Sequence, residues 1–527
     1  MPPRVLPRLD GEELRRSIRL LEAIVKDPAL LASVDEKERV ALTMAAGRLS
    51  RPERLEQRKL ARAARVARQR VRKESDRAAR AETHIRAARR EAVYAAPVQV
   101  SVEARKSRAR LEEPQSCYVC KAEFRDLHFF YDSMCPACGD FNYAKRFPTV
   151  SLAGKTAVIT GSRLKIGYQA SLMMLRAGAT VVATTRFPQD SARRYAAEKD
   201  FGDWRGRLRV HGLDLRHSPS VEIFCRYLEK SLDRLDILVN NAAQTVRRPP
   251  IFYAHLLAGE SQPYRELPAP CREVLKSHEA LKAALVAGLS PRERAAIDGP
   301  VIPSDSHVPV DTTGMAVWHR GGPGVGVRES AMLSQLKYNY DDAELGLGVF
   351  PQGRTDADLQ QVDLRTMNSW RMALADVPTA EMLELFLINA VAPFILCAKL
   401  KHLMLRHRNP DKHIVNVSAM EGSFSRGTKT DKHPHTNMAK AALNMLTLTS
   451  APDYAKDGIF MNAVDTGWVT DEDPAHLSLN KQNEHDFQPP LDIVDGAARV
   501  CDPFFSGLAT GRHVSGKFFK DYKPTTW

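Results

Sequence analysis

Four cysteines in two close pairs could hold a metal ion. They lie in the segment CYVCKAEFRDLHFFYDSMCPAC, where the spacing is C-x2-C, fourteen residues, and C-x2-C again. Such pairs supply four thiolates to a tetrahedral zinc ion, and with all four positions filled by protein none remains for a substrate. The spacing predicts a structural zinc site, with iron or four reduced thiols as the alternatives, at Cys117, Cys120, Cys135 and Cys138.

An apolar run, a glycine-containing turn and a helical pattern follow in the chain. The run at 155–160 leads into TGSRLKIGYQAS, where Gly161 and Gly167 bracket the turn. Glycine lets the backbone approach a pyrophosphate, and the amino end of a helix favours its negative charge. Asp214 ends a later apolar run, where its carboxylate could accept from an adenine amino group, and NNAA ends the next run. These positions predict a dinucleotide site.

The charge around this turn indicates which dinucleotide is bound. An acidic residue after the second strand would bind the ribose 2′-hydroxyl of NAD. Here that strand ends TTRF, with Arg186 and no carboxylate, and Arg163 and Lys165 add positive charge in the glycine turn. Guanidinium groups recognise phosphate in a bidentate manner. The pattern therefore favours NADP, with NAD as the alternative.

A lysine, a threonine and two histidines share the stretch HPHTNMAKAAL, residues 433–443. Thr436 precedes Lys440 by one helical turn, so both side chains are expected on one helix face. An efficient proton donor needs a pKa near the working pH, which imidazole has and an aliphatic hydroxyl lacks. Thr436 is therefore expected to form hydrogen bonds but to be a poor acid.

Alternating strands and helices after residue 147 would position these side chains. Short apolar runs separated by helical stretches occur at 155–160, 180–185, 208–215, 235–242, 413–419 and 458–465. Such alternation predicts an α/β fold with a doubly wound parallel sheet covered on both faces. Between about 245 and 380 a segment rich in Pro and Gly interrupts the alternation. It is too long for an ordinary connection and is expected to be an insertion that roofs the substrate pocket.

The motifs, in their order, resemble those of the short-chain dehydrogenase/reductase family over 152–243 and 381–522. TGSRLKIG is similar to the family's TGxxxGxG, NNAA to its NNAG, and DTGWVTD (465–471) to its PGxxxT. Lys165 replaces the middle glycine of the first motif, and Thr466 replaces the proline of the last. The resemblance implies a Rossmann-type fold and hydride transfer between a nicotinamide and a carbonyl, alcohol or activated double bond.

The resemblance also implies roles for individual residues. Asn389 matches the family's helix asparagine, Ser418 the serine that polarises the substrate oxygen, and Lys440 the lysine of YxxxK, whereas Thr436 occupies the tyrosine position. These four are the expected catalytic set, and Lys440 is also expected to bind the nicotinamide ribose. The implied cofactor contacts, with Thr470 near the carboxamide, are Gly161, Arg163, Lys165, Ile166, Gly167, Arg186, Asp214, Asn241, Lys440 and Thr470.

The family's tyrosine protonates the substrate oxygen, so its replacement leaves the proton donor open. His433 and His435, just before the helix, could take its place, and so could His319 in the insertion. Reduction of a polarised C=C or C=N bond would need no strong acid, because water or the substrate could supply the proton. The prediction is an NADP(H)-dependent oxidoreductase acting on a small molecule; the alternative is a non-catalytic scaffold that senses NADP(H).

The amino-terminal third has a different composition. Residues 51–90 contain 15 Lys or Arg and 5 Asp or Glu, so most of the net charge of +14 lies there. The chain from Arg51 to about Tyr94 is rich in Ala, Arg, Glu and Gln, which predicts one long helix. Nucleic-acid binding through this helix is possible, but no aromatic residues are interleaved with its arginines, and an arm for docking or self-association is preferred.

These patterns suggest three regions: a helical basic arm at 1–100, the cysteine unit at 101–147, and the sheet domain at 148–527. The unpaired arrangement of the remaining cysteines suits a reducing compartment, and no apolar run approaches the length needed to cross a bilayer. The expected location is the cytoplasm, and a homo-oligomer is possible.

Overall fold

The computed structural model describes residues 10–51, 54–97, 99–101, 109–288, 324–338 and 348–527. Its backbone contacts divide the chain into two units, Met1–Ser75 and Asp76–Trp527. The division thus lies within the basic segment, and the cysteine segment belongs to the second unit. Parts of the insertion, including His319, lie outside the described residues.

The first unit contains two helices, each capped by an aspartate. Helix α1 (Gly11–Lys26) follows Asp10, and helix α2 (Glu36–Ser50) follows Asp35. Each aspartate accepts a hydrogen bond from the backbone N–H two residues later, at 3.0 and 3.2 Å. These carboxylates satisfy N–H groups that the first turn of a helix leaves without an intrahelical partner.

The long basic helix is shorter than predicted. Helix α3 (Arg54–Ala81) ends before a separate helix, α4 (His84–Ala88). The first two N–H groups of α4 donate to the carbonyls of Phe129 and Phe130 at 3.1 and 3.0 Å, and Ile85 is fully buried. Tertiary contacts therefore end the helix where local propensity alone would continue it, and the prediction of one continuous helix is wrong.

The cysteine segment folds as a strand pair followed by a helix. Strands β1 (Arg110–Ser116) and β2 (Glu123–Asp126) are antiparallel, and helix α5 (Pro136–Lys145) follows them. Cys117 and its apolar neighbours share one buried cluster with Val469, Leu491 and Ile493 of the sheet domain. The small segment is thus stabilised partly by a core that it shares with the larger fold.

A mostly parallel sheet forms the centre of the second unit, which confirms the predicted fold class. Its spatial order is β10-β9-β8-β7-β6-β3-β4-β5, and β10 is antiparallel to its neighbour. Each of the six apolar runs identified in the sequence overlaps one of its strands. The strands are β3 (Thr156–Thr160), β4 (Thr180–Thr185), β5 (Leu208–Gly212), β6 (Ile237–Asn240), β7 (Lys412–Ser418), β8 (Ile459–Asp465), β9 (Phe518–Lys520) and β10 (Lys523–Thr525).

Helices cover both faces of the sheet, as βαβ connections require. One apolar cluster contains side chains of α6 and α17, and a second contains side chains of α9 and α14. Among the described residues of this unit, the helices after α5 are α6 (Lys165–Arg176), α7 (Pro188–Ala196), α8 (Phe201–Trp204), α9 (Ser218–Ser231), α10 (Ala254–Glu260), α11 (Ala269–Ala287), α12 (Val325–Arg328), α13 (Thr379–Phe386), α14 (Ala392–Leu405), α15 (Pro434–Lys456), α16 (Ala475–His485) and α17 (Ile493–Thr510).

The described part of the insertion has structure of its own and packs on the sheet. Helix α11 lies beside the edge strand β5, where the His278 imidazole accepts a hydrogen bond from Gly212 N–H at 3.3 Å. Val274 and Leu275 of the same helix join the core. An edge strand with unpaired backbone groups is prone to aggregation, and the insertion covers this edge.

One continuous helical segment, Thr379–Leu405, is long and apolar enough to cross a bilayer, with a mean hydropathy of 1.8. A π-helical turn at Leu387–Val391 joins α13 to α14 and makes the segment continuous. Half of it is buried within the fold, as in the core helix of an α/β domain. By length and composition, the expectation that no segment reaches a membrane-spanning length is therefore wrong.

Candidate active site

A cavity of about 440 Å³ lies at the carboxyl ends of the parallel strands. The strand order reverses between β3 and β6, and ligands of open α/β sheets bind at such a reversal. All ten residues expected from the sequence to contact the cofactor line this one cavity: Gly161, Arg163, Lys165, Ile166, Gly167, Arg186, Asp214, Asn241, Lys440 and Thr470.

Two glycines leave room for close backbone approach at the turn after β3. Gly161 has a φ of +68°, and a Cβ there would lie 2.8 Å from the Cα of Ala242. A Cβ on Gly167 would lie 2.2 Å from the Gly161 carbonyl and 2.3 Å from the amide nitrogen of Asn241. Asn241 in turn donates to the carbonyls of Thr160 and Gly161, both at 3.0 Å. The turn and the loop after β6 are therefore packed without space for a side chain.

Lys165, the departure from the family's middle glycine, adopts a backbone conformation that glycine favours. Its φ is +53°, in the left-handed region where a side chain costs about 1–2 kcal/mol. The family's glycine at this position is explained by that conformation. The lysine thus places a cation at the start of α6 at the expense of backbone strain.

The predicted cations of the site have different partners. Arg186 donates to the Tyr253 hydroxyl at 2.8 Å, and its guanidinium lies 4.7 Å from the centre of the Tyr253 ring. Arg163 forms an ion pair with Asp190 at 2.8 Å, and Arg194 binds the same carboxylate at 2.7 Å. Burial lowers the pKa of Arg163, and Asp190 opposes that effect. Arg163 is therefore already neutralised by a carboxylate, whereas Arg186 is bound by a phenol.

Asp214 is less available to a ligand than its position in the sequence indicates. It is fully buried, and the Arg216 guanidinium contacts both carboxylate oxygens, the shortest distance being 2.7 Å. Burial alone would raise the pKa of Asp214, but Arg216 holds it below its ordinary value. Arg216 also forms an ion pair with Glu384 of α13 at 2.7 Å. Asp214 thus belongs to a buried ionic network that joins the cavity wall to the helix carrying Asn389.

Ser418 and Lys440 meet at the inner part of the cavity. The Lys440 ammonium, 5% exposed, donates to the Val417 carbonyl at 2.8 Å, and the Ser418 hydroxyl lies 3.4 Å from the Lys440 carbonyl. Burial lowers the pKa of Lys440 to about 8, while Glu421 and Asp465 act in the opposite direction. A lysine in this state exchanges protons near neutral pH.

The other residues expected at the catalytic centre do not line the cavity. Thr436 is 2% exposed, and its hydroxyl has no hydrogen-bond partner among the described residues. Its side chain is much shorter than the tyrosine of the family and does not reach the space that a phenol would occupy. Asn389 is buried in the π-helical turn, where its amide accepts from the N–H of Gln244 and donates to its carbonyl at 2.8 and 2.9 Å. The Asn389 side chain therefore holds the loop after β6 in position. The prediction that Thr436 and Asn389 lie at the catalytic centre is corrected by the structure, since neither residue lines the cavity.

Neither His433, which precedes α15, nor His435, in its first turn, lines the cavity. His433 stacks on Trp370, with ring centroids 3.9 Å apart. His435 is 1% exposed, and burial lowers its pKa to about 4. A neutral, buried imidazole is a poor acid at neutral pH. The described geometry does not support the histidine replacements considered from the sequence.

Several lining residues were not identified from the sequence. Glu472 accepts from the Thr470 hydroxyl at 2.8 Å and from Thr245 at 3.2 Å, so Thr470 already has a partner. Tyr253 and Arg248 reach the cavity from the insertion. The sequence offers a signal only for Glu472, a carboxylate two residues after the PGxxxT-like threonine. The positions of Tyr253 and Arg248 depend on how the insertion folds back.

The four predicted cysteines come together at the end of β1 and the start of α5. Their sulfur atoms lie within 4.8 Å of one another, and Sγ of Cys120 is 3.8 Å from that of Cys135. A tetrahedral ion with Zn–S bonds of about 2.3 Å would separate its sulfurs by about 3.8 Å. Burial alone would raise the pKa of Cys117, but backbone N–H groups of Cys135, Cys120 and Val119 lower it to about 7. The donor set and its spacing fit a four-thiolate metal site.

Two family models and several known proteins match parts of this chain. The family model described as "short chain dehydrogenase" matches residues 155–254, and that described as "Enoyl-(Acyl carrier protein) reductase" matches residues 366–489. "Uncharacterized protein R665" of Acanthamoeba polyphaga mimivirus is 27% identical over 401 residues, which span 74% of this chain and 71% of that protein. Mouse "Retinol dehydrogenase 13" is 37% identical over 98 residues, 18% of this chain and 28% of that enzyme.

Two solved structures are similar to this chain at low sequence identity. The "Pseudomonas aeruginosa RhlG/NADP active-site complex" is 16% identical, with a TM-score of 0.41 over 71% of this chain and 96% of that one. The "NADPH bound carbonyl reductase from chicken fatty liver" is 14% identical, with a TM-score of 0.40 over 72% of this chain and 96% of the other. The family models match the two stretches that contain the glycine turn, NNAA, Ser418 and Lys440. These two stretches of the chain match the short-chain dehydrogenase/reductase family of oxidoreductases.

Proposed function

We propose that this protein is an NADP(H)-dependent oxidoreductase that transfers hydride to or from a carbonyl, alcohol or activated double bond of a small molecule. The observation that carries the proposal is the cavity at the strand reversal, which the glycine turn and the Ser418–Lys440 pair line together. The retained serine and lysine are of the types that the family uses. The substrate would enter beside Ser418, under the described part of the insertion.

The described residues fit a phosphorylated dinucleotide. Gly161 and Gly167 line the cavity at the amino end of α6, where the helix dipole favours the negative charge of a pyrophosphate. Strand β4 is followed by Arg186 and not by a carboxylate. Because Asp190 already neutralises Arg163, the 2′-phosphate is assigned to Arg186, which Tyr253 holds in place. Lys165 adds a second cation at the same wall.

Proton transfer is assigned to residues that line the cavity. The bound nicotinamide supplies or accepts the hydride, and the protein must provide the proton at the substrate oxygen. Ser418, which lines the cavity, would donate a hydrogen bond to that oxygen, and Lys440 is the proposed proton source in place of the family's tyrosine. Its buried ammonium has a pKa of about 8, and an efficient general acid needs a pKa near the working pH.

The cysteine unit is proposed to hold a structural zinc ion. All four thiolates come from the protein, so the ion would have no position for a substrate. The segment's own apolar core is small and is shared with the sheet domain. Metal binding would add folding free energy that a segment of this size lacks by itself.

Fluorescence titration with NADPH and NADH tests the cofactor assignment. Arg186→Ala should weaken NADPH binding on the order of tenfold or more, because a charge-assisted contact to phosphate contributes about 1.5–3 kcal/mol. The same change should alter NADH binding much less. Arg512→Ala, at an exposed position after α17, is the matched control and should leave both affinities unchanged. Equal loss of NADPH and NADH affinity in Arg186→Ala would contradict the assignment of the 2′-phosphate.

Transfer of deuterium from C4-deuterated NADPH to a panel of aldehydes, ketones and enones tests the reaction itself. Deuterium in a product, detected by mass spectrometry, would establish hydride transfer. NADPH binding without transfer to any member of the panel would favour a nucleotide-sensing scaffold. Absence of NADPH and NADH binding would refute the proposed function.

A further inference from the structure

The loop after β8 forms one wall of the cavity and also touches the cysteine unit. Thr466, Thr470 and Glu472 of this loop line the cavity. Val469, between them, is 7% exposed and lies in the apolar cluster that contains Cys117. The same short loop thus faces the proposed cofactor on one side and the metal unit on the other.

Tyr118 makes the direct contact from the metal unit. It lies between Cys117 and Cys120, and its backbone N–H donates to the Ser133 carbonyl at 2.8 Å, which ties the first cysteine turn to the second. Its hydroxyl accepts a hydrogen bond from the backbone N–H of Trp468 at 3.0 Å. The position of this hydroxyl therefore depends on the turn that the metal would hold closed.

The fit between this hydroxyl and the loop is close. Gly467 has a φ of +75°, and a Cβ there would lie 3.1 Å from the Tyr118 hydroxyl. The N–H of Gly467 donates to Asp465 at 2.8 Å. The other oxygen of Asp465 accepts from the N–H of Met420 at 2.8 Å, two residues after Ser418. A series of hydrogen bonds thus connects the metal unit, through the loop after β8, to the segment that carries the proposed catalytic serine.

Lys520 joins the same group of contacts. Its ammonium lies 5.8 Å from the centre of the Tyr118 ring and 3.3 Å from the Asp465 carboxylate. Tyr118 itself is half-buried, and its hydroxyl connects the cysteine turn to the loop after β8.

We propose that Tyr118 is a positioning residue, through which metal binding at the four cysteines sets the conformation of the cavity wall at 466–472. This inference rests on the proposed function, because the ligand at that wall is the proposed NADP(H). A coupling between two binding sites is reciprocal. Metal loss should therefore weaken NADPH binding, and NADPH should slow the release of the metal.

The experiment uses the full chain loaded with zinc. Zinc release to the chromogenic chelator 4-(2-pyridylazo)resorcinol is followed by absorbance with and without saturating NADPH, and NADPH affinity is measured by fluorescence. In the wild type, NADPH should slow zinc release on the order of two- to tenfold, the factor that one hydrogen bond of typical strength supplies. Tyr118→Phe should bind NADPH weaker by a similar factor, retain its zinc, and lose the effect of NADPH on zinc release.

Tyr227→Phe is the matched control, because its hydroxyl also bonds to backbone, the carbonyl of Ser277 at 3.2 Å, but lies on α9. It should keep the coupling intact. A purely structural effect of Tyr118→Phe would accelerate zinc release equally with and without NADPH and would overturn the positioning role. Wild-type protein that binds NADPH but releases zinc at an unchanged rate would overturn the inference and leave the proposed function standing. A wild type that binds no NADPH would overturn both the proposed function and this inference. A chain that takes up no zinc would overturn the proposed coupling between metal and NADPH.

Discussion

Replacing Lys440 with methionine is expected to stabilise the folded second unit at neutral pH, although it removes a proposed active-site residue. The ammonium is 5% exposed, and burial lowers its pKa from 10.5 to about 8. At about 1.4 kcal/mol per pH unit, that displacement corresponds to a cost of about 3 kcal/mol for the charged lysine. Methionine has a similar volume and carries no charge.

The net gain in the free energy of unfolding of Lys440→Met is smaller than the cost of burying the charged lysine. The variant loses the hydrogen bond from the ammonium to the Val417 carbonyl, which typically contributes about 1 kcal/mol. The expected stabilisation at pH 7 is therefore about 2 kcal/mol. The proposed ribose contact and proton source are lost as well, so NADPH binding should weaken and hydride transfer should fall.

The pH dependence of this stability difference tests whether the buried charge of Lys440 is its cause. Below about pH 8 the lysine is protonated in both the folded and the unfolded protein, and the full cost is present. Between about pH 8 and 10.5 the folded protein has lost the proton while the unfolded chain still binds it, so the wild type gains stability relative to the variant as the pH rises. The advantage of Lys440→Met should therefore decrease above about pH 8 and be lost before pH 10.5, once the remaining cost falls below the roughly 1 kcal/mol of the hydrogen bond.

Urea unfolding followed by tryptophan fluorescence measures this difference, because all five tryptophans lie after Ser75. Lys276→Met, at an exposed position on α11, is the control and should change the free energy of unfolding little at any pH. A Lys440→Met variant that is less stable than the wild type at pH 7 would refute the reasoning. A difference that stays constant from pH 7 to 10 would refute it equally.

Two further changes test the glycine turn. Lys165→Gly should raise the free energy of unfolding by about 1 kcal/mol, because glycine adopts the positive φ without strain, and should bind NADPH more weakly. Lys165→Ala removes the ammonium but keeps the strain, so it should lose NADPH affinity without gaining stability. A loss of stability in Lys165→Gly, measured by urea unfolding, would argue against strain at this position. Gly167→Ala should destabilise by about 1–3 kcal/mol and abolish NADPH binding, because its Cβ would meet backbone atoms. Gly202→Ala, where no atom lies within 4 Å of the added Cβ, is the matched control; equal behaviour of the two variants in thermal unfolding would contradict the packing argument.

The sequence predicts the elements of the sheet domain well, because each depends on a local pattern. Every predicted apolar run overlaps a strand of the sheet, and the residues expected to contact the cofactor line one cavity. Ser418 and Lys440 follow from their places in motifs of the family. The cysteine spacing likewise predicts four sulfurs that lie within 4.8 Å. Periodicity and short-range spacing suffice where a side chain's position follows from its own strand, turn or helix.

The sequence predicts less well wherever a side chain's environment comes from distant residues. Helix propensity continues past Ala81, yet the carbonyls of Phe129 and Phe130 begin a new helix there. Asp214 has the position of a ligand-binding carboxylate, yet Arg216 and Glu384 enclose it in an ionic network. Thr436 lies on the expected helix, but its short side chain does not reach the cavity.

By itself, the sequence determined the fold class, the glycine turn, the four-cysteine spacing and the absence of the family's tyrosine. These are properties of residue type and of separation along the chain. Only the tertiary structure decided that Tyr253 of the insertion holds Arg186, and that Tyr118 bonds to Trp468. The two residues of the second pair are 350 positions apart. No local pattern encodes such a distance, because the contact exists only after the core has packed the cysteine unit against the loop that follows β8.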